Sequence, residues 1–301
     1  MEEFRNTEKN LDGALTVDLE DRRLALTPKA TRDHQERRSV NESYIKESTK
    51  RILTELEKRD MQATFFVLGE VAQAVPEIVK EISRRNHEIA SHSHMHVPLC
   101  RVTRKNLALS IQRDLDLLEN LSGRRPIGFR APYFSLRRND GWFLKMLSDS
   151  GLQYDSSVVP TWTPFYGIPF AQKGPYYPDL ADISKAVPRG RILELPISVW
   201  PSWGKLPGMP IGGGFFLRFW PTSAIVAALR KNLRTGAKLV IYVHPADLDP
   251  ERLEAENLRI DDRIIQHFGK QRGIDCFRRI LDEFKLGPIH RVFSPRLMQT
   301  R

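Results

Sequence analysis

Strand-like and helix-like segments alternate along most of this chain, and that alternation restricts the fold more than any other feature. ALTVD (14–18) is a short apolar run with β-branched residues. SYIKESTKRILTELEKR (43–59) follows and sets Ile45, Ile52, Leu53 and Leu56 on one helical face. ATFFVLG (63–69) is strand-like, VPEIVKEISRR (75–85) repeats Val75, Ile78, Val79 and Ile82 at helical spacing, and HEIAS (87–91) is again a strand. The segment 103–123 is a helix capped by Thr103, with Leu107, Ile111, Leu115 and Leu118 as its stripe. PIGFR (126–130) is a strand, 139–151 a helix that stops at Gly151, and LQYDS (152–156) a strand.

Residues 157–190 break the rhythm. They are rich in Pro, Gly and aromatics and read as a long excursion. Trp162, Phe165, Tyr166, Tyr176 and Tyr177 either pack that excursion or stack on sugar rings. The rhythm resumes with ILELPISV (192–199), a helix near 222–235, KLVIYVH (238–244), a helix near 273–285 and PIHRVF (288–293) as a last strand.

The expected fold class is therefore α/β, with a parallel sheet and helices outside it. Eight strand candidates in one stretch favour a closed or nearly closed barrel. One domain over 11–301 follows a polar tail at 1–10. In such barrels reactive residues sit at the C-terminal strand ends. Here those ends carry Asp18 with Glu20 and Asp21, then His92, Arg130, Asp155 and His244. All would meet at one rim.

HEIASHSHMH (87–96) holds three of the chain's eight histidines within five positions. His92 and His96 are four apart. If the chain turns helically there, they share a face and His94 points elsewhere. Two imidazoles and a carboxylate from another strand would make a three-ligand site with open positions. A solvated loop or hydrogen-bonded structural histidines remain the alternatives, and DLED could equally begin a helix. His34, His87, His267 and His290 read as structural or surface residues.

The formal charge of +10 raises the question of a nucleic-acid partner. The basic residues come as scattered pairs, such as Arg22-Arg23, Arg37-Arg38 and Arg84-Arg85, which describes a solvated basic surface better. No apolar window approaches a membrane span, so no stable membrane insertion is expected. The polar, acidic first residues lack a secretory pattern, which favours the cytoplasm unless a signal lies upstream. Cys100 and Cys276 are too few for a disulfide framework or a cysteine metal site. Glycines 212–214 lack the strand-to-helix setting of a dinucleotide loop.

Taken together the motifs resemble the NodB-homology polysaccharide deacetylases, carbohydrate esterase family 4, over most of residues 11–293. ALTVDLED resembles the first family motif, SHSHMH the second, FRAPY (129–133) the third, YDSS (154–157) the fourth and YVHP (242–245) the fifth. VDLED, YDSSVVP, GGGFFLRFWP (212–221) and HPADLDP (244–250) are similar to the subgroup found with exosortase and exopolysaccharide gene clusters. Departures are D-x-E-D in place of D-D-G, Tyr242 where Leu is usual, and Asn86 in place of a Gly, in a turn that Asn tolerates.

The resemblance implies a distorted (β/α) barrel of seven to eight parallel strands, complete or incomplete. It implies a divalent metal, Zn2+ first, with Co2+, Ni2+, Mn2+ or Fe2+ also suitable. Asp18 corresponds to the base, oriented by Arg130. Glu20, His92 and His96 correspond to the metal ligands, with Asp21 as the other candidate acid. His244 corresponds to the catalytic acid, with Asp155 holding its imidazole. Pro132, Tyr133 and Tyr242 correspond to the substrate pocket, a backbone N–H near Tyr133 helping to hold the oxyanion. The expected activity is removal of N-acetyl groups from amino sugars in a polysaccharide, oligosaccharide or precursor, with exopolysaccharide first. The alternatives are an allantoinase-like amidohydrolase on the same fold and a catalytically silent carbohydrate- or nucleic-acid-binding protein.

Overall fold

A computed structural model describes residues 11–22, 39–200, 207–250, 264 and 267–294. The polar tail, His34, Arg23 and the Arg37-Arg38 pair lie outside the described residues. The strands are β1 (Gly13–Leu19), β2 (Thr64–Val67), β3 (Glu88–Ser91), β4 (Gly128–Phe129), β5 (Tyr154–Asp155), β6 (Tyr177–Asp179), β7 (Asp182–Val187), β8 (Leu193–Glu194), β9 (Leu239–Val243) and β10 (Leu286–Gly287). The helices are α1 (Glu42–Glu57), α2 (Gly69–Ala74), α3 (Pro76–Arg84), α4 (Arg104–Ser122), α5 (Gly141–Asp149), α6 (Phe215–Phe219), α7 (Thr222–Arg234), α8 (Lys270–Glu283) and α9 (Ile289–Val292).

The sheet runs β9-β1-β2-β3-β4-β5-β8, and every pairing in it is parallel. β10 is a short parallel stub beside Gly13 and Ala14 of β1. This is the expected incomplete barrel. Its open side, between β8 and β9, is strapped rather than closed by a ladder. Ser198 N–H donates to the Val240 carbonyl at 3.0 Å, and Val240 N–H donates back to Ser198 Oγ at 2.9 Å. The next strap is Gly213, whose Cβ, if present, would stand 1.9 Å from the Tyr242 carbonyl oxygen. Only glycine permits that approach.

The helices form because their apolar residues recur on one face and their ends are capped. Asn41 accepts from Tyr44 N–H before α1, and Thr103 Oγ1 accepts from Asn106 N–H before α4. Gly123, at φ 75°, ends α4. Asn86 turns the chain into β3 at φ 60°, as its side chain tolerates. The sheet's outer face packs Leu15, Val17, Phe65, Val67, Leu239 and Ile241 against Ile45, Ile52 and Leu53 of α1 and their neighbours. Its inner face is filled by Phe66, Ala90, Tyr154, Leu193, Val240 and Tyr242, so the barrel is a packed core with a site at one end.

One expectation needs correction. The last apolar run is no strand. β10 stops at Gly287, and residues 289–292 are helical. Pro288 precedes that turn, and its carbonyl accepts from both Arg291 and Val292 N–H. The excursion 157–190 contains β6 and β7, which form an antiparallel hairpin. Tyr176 is buried there, with its hydroxyl donating to the Ile183 carbonyl at 2.6 Å.

Candidate active site

The site is assembled at the C-terminal ends of β1, β3, β4 and β9. Asp18 is the penultimate residue of β1 and Glu20 follows it by two, so both carboxylates reach the same cleft. Arg130, just beyond β4, is fully buried. Its Nη1 donates to Asp18 Oδ1 at 2.5 Å and to Thr16 Oγ1 at 2.8 Å. Its Nε and Nη2 each donate at 2.9 Å to Ser156, to the carbonyl and the hydroxyl respectively. The guanidinium also lies 4.1 Å from the Phe66 ring centroid. Every edge of this fork is engaged, so Asp18 faces a cation that cannot swing away.

His92 and His96 converge on Glu20. The His96 Nε2 atom lies 2.6 Å from Glu20 Oε2 and the His92 Nε2 atom 3.9 Å from it. The chain does not turn helically between the two histidines. Ser93 instead adopts φ 71°. His94 leaves the group and lies 4.0 Å from Asp114. His92 Nδ1 stands 2.8 Å from the Arg130 carbonyl, which can only accept. The Nδ1 therefore carries the proton, and Nε2 faces Glu20 with a free lone pair. Burial lowers the His92 pKa to about 4, which favours that neutral ring. Burial also opposes charge on Glu20, but the neighbouring His96 and His244 outweigh it and hold the carboxyl down at about 2.

These three side chains fit a divalent metal. Their donor atoms all lie within 4.8 Å of one another, and all three residues are buried. Two imidazoles and a carboxylate are a borderline-soft N/O set that suits zinc or a similar ion. Asp21 is not part of the group: its Oδ2 accepts from Asn41 N–H at 2.7 Å and so ties the end of β1 to the start of α1. An extended chain turns neighbouring residues to opposite sides, which separates Asp21 from Glu20.

His244 follows β9 and faces the same cleft. Its Nε2 lies 3.6 Å from Glu20 Oε1 and 3.9 Å from Asp18 Oδ2. Its Nδ1 lies 2.8 Å from Asp247 Oδ2, which also accepts from the His244 backbone N–H at 3.0 Å. Burial opposes charge on this ring, yet Asp247, Glu20 and Asp18 outweigh it and push its pKa up to about 9.

Asp155 does not hold His244. It is buried below the rim, where its Oδ1 accepts from Ser157 Oγ at 2.7 Å and its carboxyl bonds that of Glu194. The pairing of β5 with β8 sets Asp155 opposite Glu194, a partner hidden from sequence by distance along the chain. Burial and the neighbouring Asp155 charge push Glu194 well above the usual carboxylate range, so the pair holds a shared proton. Pro132 is also displaced from its expected place. It is buried in the turn Pro132–Phe134 and does not line the cleft. That turn presents Tyr133, at φ 57°, with its ring 4.1 Å from the His96 ring. Tyr242 lines the cleft as expected, its ring 5.4 Å from that of His244.

The cleft encloses about 310 Å3. Its walls are aromatic: Tyr133, Phe134 and Tyr242 on one side, Trp162, Phe165 and Tyr166 from the excursion, and Phe215 and Phe216 from α6. Asp247, Arg218 and the α6 aromatics are the members that sequence reasoning missed. The H-P-A-D pattern was a usable signal for Asp247. It places an acid three residues after His244 with Pro at the first turn position, the arrangement of an N-terminal capping box.

Comparison with known proteins fits this geometry. Residues 38–154 match the family described as Polysaccharide deacetylase, and residues 156–294 match a Domain of unknown function (DUF3473). The segment 38–154 is thus similar to the polysaccharide deacetylase family. The peptidoglycan-N-acetylglucosamine deacetylase of Bacillus cereus is 36% identical over 93 residues, 31% of this chain and 34% of its own length. The peptidoglycan-N-acetylmuramic acid deacetylase PdaC of Bacillus subtilis is 37% identical over 86 residues, 29% of this chain and 18% of its own length. The matched stretch thus spans about a third or less of these deacetylases. Among solved structures, a Mycobacterium smegmatis protein assigned as a polysaccharide deacetylase superposes with a TM-score of 0.55 at 19% identity, covering 96% of this chain and 91% of its own. Puue allantoinase superposes with the same TM-score at 14% identity, over 89% and 82%. Both likenesses concern the fold, which is the NodB type of incomplete barrel. The match to the deacetylase family covers His92, His96, Arg130 and Tyr133, whereas Asp18 and Glu20 precede it and His244 follows it.

Proposed function

We propose that the protein is a metal-dependent hydrolase that removes N-acetyl groups from amino sugars in a polysaccharide or its precursor. The observation that carries this reading is the convergence of three parts in one cleft: the Asp18–Arg130 pair, the Glu20, His92 and His96 group, and His244. An N-acetyl amide is a poor electrophile. A divalent ion held by Glu20, His92 and His96 would polarise its carbonyl and acidify water. Asp18, its other oxygen fixed toward Arg130, accepts the proton of the attacking water at Oδ2. His244 delivers a proton from Nε2 to the departing amine, because its Nδ1 is engaged by Asp247. The aromatic walls exclude water and offer flat apolar faces to sugar rings. Zinc suits the donor set best, and exopolysaccharide is the proposed polymer on the strength of the subgroup motifs in YDSSVVP and HPADLDP.

A small-molecule amidohydrolase is the second reading, supported by the equal superposition on an allantoinase. One experiment separates the two. The purified protein is analysed for bound metal and assayed for acetate release from chitooligosaccharides and N-acetylglucosamine polymers, and for allantoin hydrolysis. Asp18→Asn and His244→Ala are the controls. Acetate release lost in both variants supports the deacetylase. Metal-free protein that releases no acetate from any of these substrates would refute it.

A further inference from the structure

Asp155, the strand-end aspartate, is the residue expected to orient the acid histidine. The geometry assigns that role elsewhere. We propose that Asp247, itself held by Arg218, is the positioning residue of His244, and that the region matched by DUF3473 thereby supplies the acid half of the site. This inference rests on the deacetylase reading above.

Four observations carry it. Both Asp247 oxygens are committed: Oδ2 accepts from the His244 ring and backbone N–H, and Oδ1 accepts from Arg218 Nε at 3.1 Å. Asp247 and Arg218 are both buried, so this ion pair is shielded from water and salt. Arg218 is fixed in turn, since its Nη1 donates to the Phe268 carbonyl at 2.8 Å. Finally, α8 clamps the turn that carries Asp247. A Cβ on Gly273 would stand 1.9 Å from the Asp247 carbonyl oxygen, and Lys270 Nζ donates to the Ala246 carbonyl at 2.8 Å. Asp155, although buried, does not take this place, because Ser157 and Glu194 engage it below the rim.

Arg218, Asp247, Lys270 and Gly273 all fall within residues 156–294. On this assignment that region is no appended module. It brings the proton donor, fixes its tautomer and walls the cleft with Phe215 and Phe216.

The chain of contacts makes a distinguishing test available. An asparagine at 247 keeps the shape but turns one acceptor into a donor, so it cannot serve both His244 and Arg218. Full-length Asp247→Asn, Asp247→Ala, Arg218→Lys and Asp155→Asn are compared with the unaltered protein. The readouts are kcat and KM for acetate release, bound metal per chain, and the ring nitrogen resonances of His244. We expect Asp247→Asn to lower kcat by about 10² or more while KM and metal content hold. The His244 Nδ1–H signal should shift or vanish. Arg218→Lys should give a smaller loss in the same parameter. Loss of kcat in Asp155→Asn, with Asp247→Asn within a factor of about 3 of the unaltered protein, would overturn the assignment. So would an unchanged His244 tautomer in Asp247→Ala. If the unaltered protein releases no acetate, the deacetylase reading fails, and the resonances alone still decide whether Asp247 positions His244.

Discussion

The Nη1 atom of Arg130 stands 2.5 Å from Oδ1 of Asp18, and both residues are buried. Further Arg130 contacts come from Thr16, Ser156 and the Phe66 ring, so the pair is held from several sides. Arg130→Lys should therefore behave as a severe change. A lysine keeps the charge but loses the fork that reaches Asp18, Thr16 and Ser156 together. We expect kcat to fall by about 10²–10⁴ and thermal unfolding to drop as well, since a buried carboxylate left poorly paired costs about 3–5 kcal/mol. Steady-state kinetics and calorimetry on the same preparation check both.

Removing the metal should abolish acetate release and lower stability together. Chelation followed by dialysis gives inactive protein, and a divalent ion restores it. At a free ion concentration about 100 times its Kd the folded state gains about 2.7 kcal/mol, visible as a higher Tm. His96→Ala should show neither rescue nor the Tm increase, because Glu20 and His92 alone make an incomplete site.

In the metal-free protein, His244 should titrate near 9 by NMR. Its folded pKa lies above the ordinary histidine value of 6.5, so the stabilisation from Asp247 is fully present below about pH 6.5. It is lost as pH rises through about 9. Stability measured from pH 6 to 10 should fall across that window, and the fall should shrink in Asp247→Asn.

Asp114 also makes stability fall as pH rises, here because its charged form is the disfavoured one. It is buried behind the histidine segment, and its Oδ2 accepts from Ser91 Oγ at 2.5 Å. Burial pushes its pKa up to about 7, with the Ser91 contact opposing. The neutral carboxyl is the favoured form, so this group destabilises the fold progressively as pH rises from about 4 through 7. Asp114→Asn should match the unaltered protein at pH 4 and exceed it at pH 8, by on the order of 2–4 kcal/mol. Urea unfolding at the two pH values measures it.

Gly273→Ala should damage the acid side alone. The added methyl meets the Asp247 carbonyl oxygen, which is backbone and cannot swing aside. We expect a loss of about 1–3 kcal/mol in stability and a fall in kcat with bound metal unchanged. Metal analysis beside kinetics distinguishes this from a general collapse of the site.

The barrel and half of the site were legible in the sequence because both rest on local pattern. Periodicity marks the strands, and Asp18, His92, Arg130 and His244 each stand at or just past a strand end. The rest depends on contacts made across the fold. Asp155 was misassigned because Glu194 reaches it only through the pairing of β5 with β8. Asp247 went unassigned because its second partner, Arg218, comes from α6, 29 residues earlier. PIHRVF was misread because an apolar run of six residues suits a strand or a buried helical turn equally well.

β1 lies inside the sheet, with β2 on one side and β9 on the other. Thr16 Oγ1 donates to the carbonyl of Ile241, a residue 225 positions away. A chain synthesised from its N-terminus makes this strand before β9 and cannot complete its pairing until β9 has left the ribosome. At ordinary elongation rates that interval is on the order of 10–45 s. Contacts of such separation also slow the search for the native state. Asp18 and Glu20 are thus among the first parts of the site to be made and among the last to be locked in place.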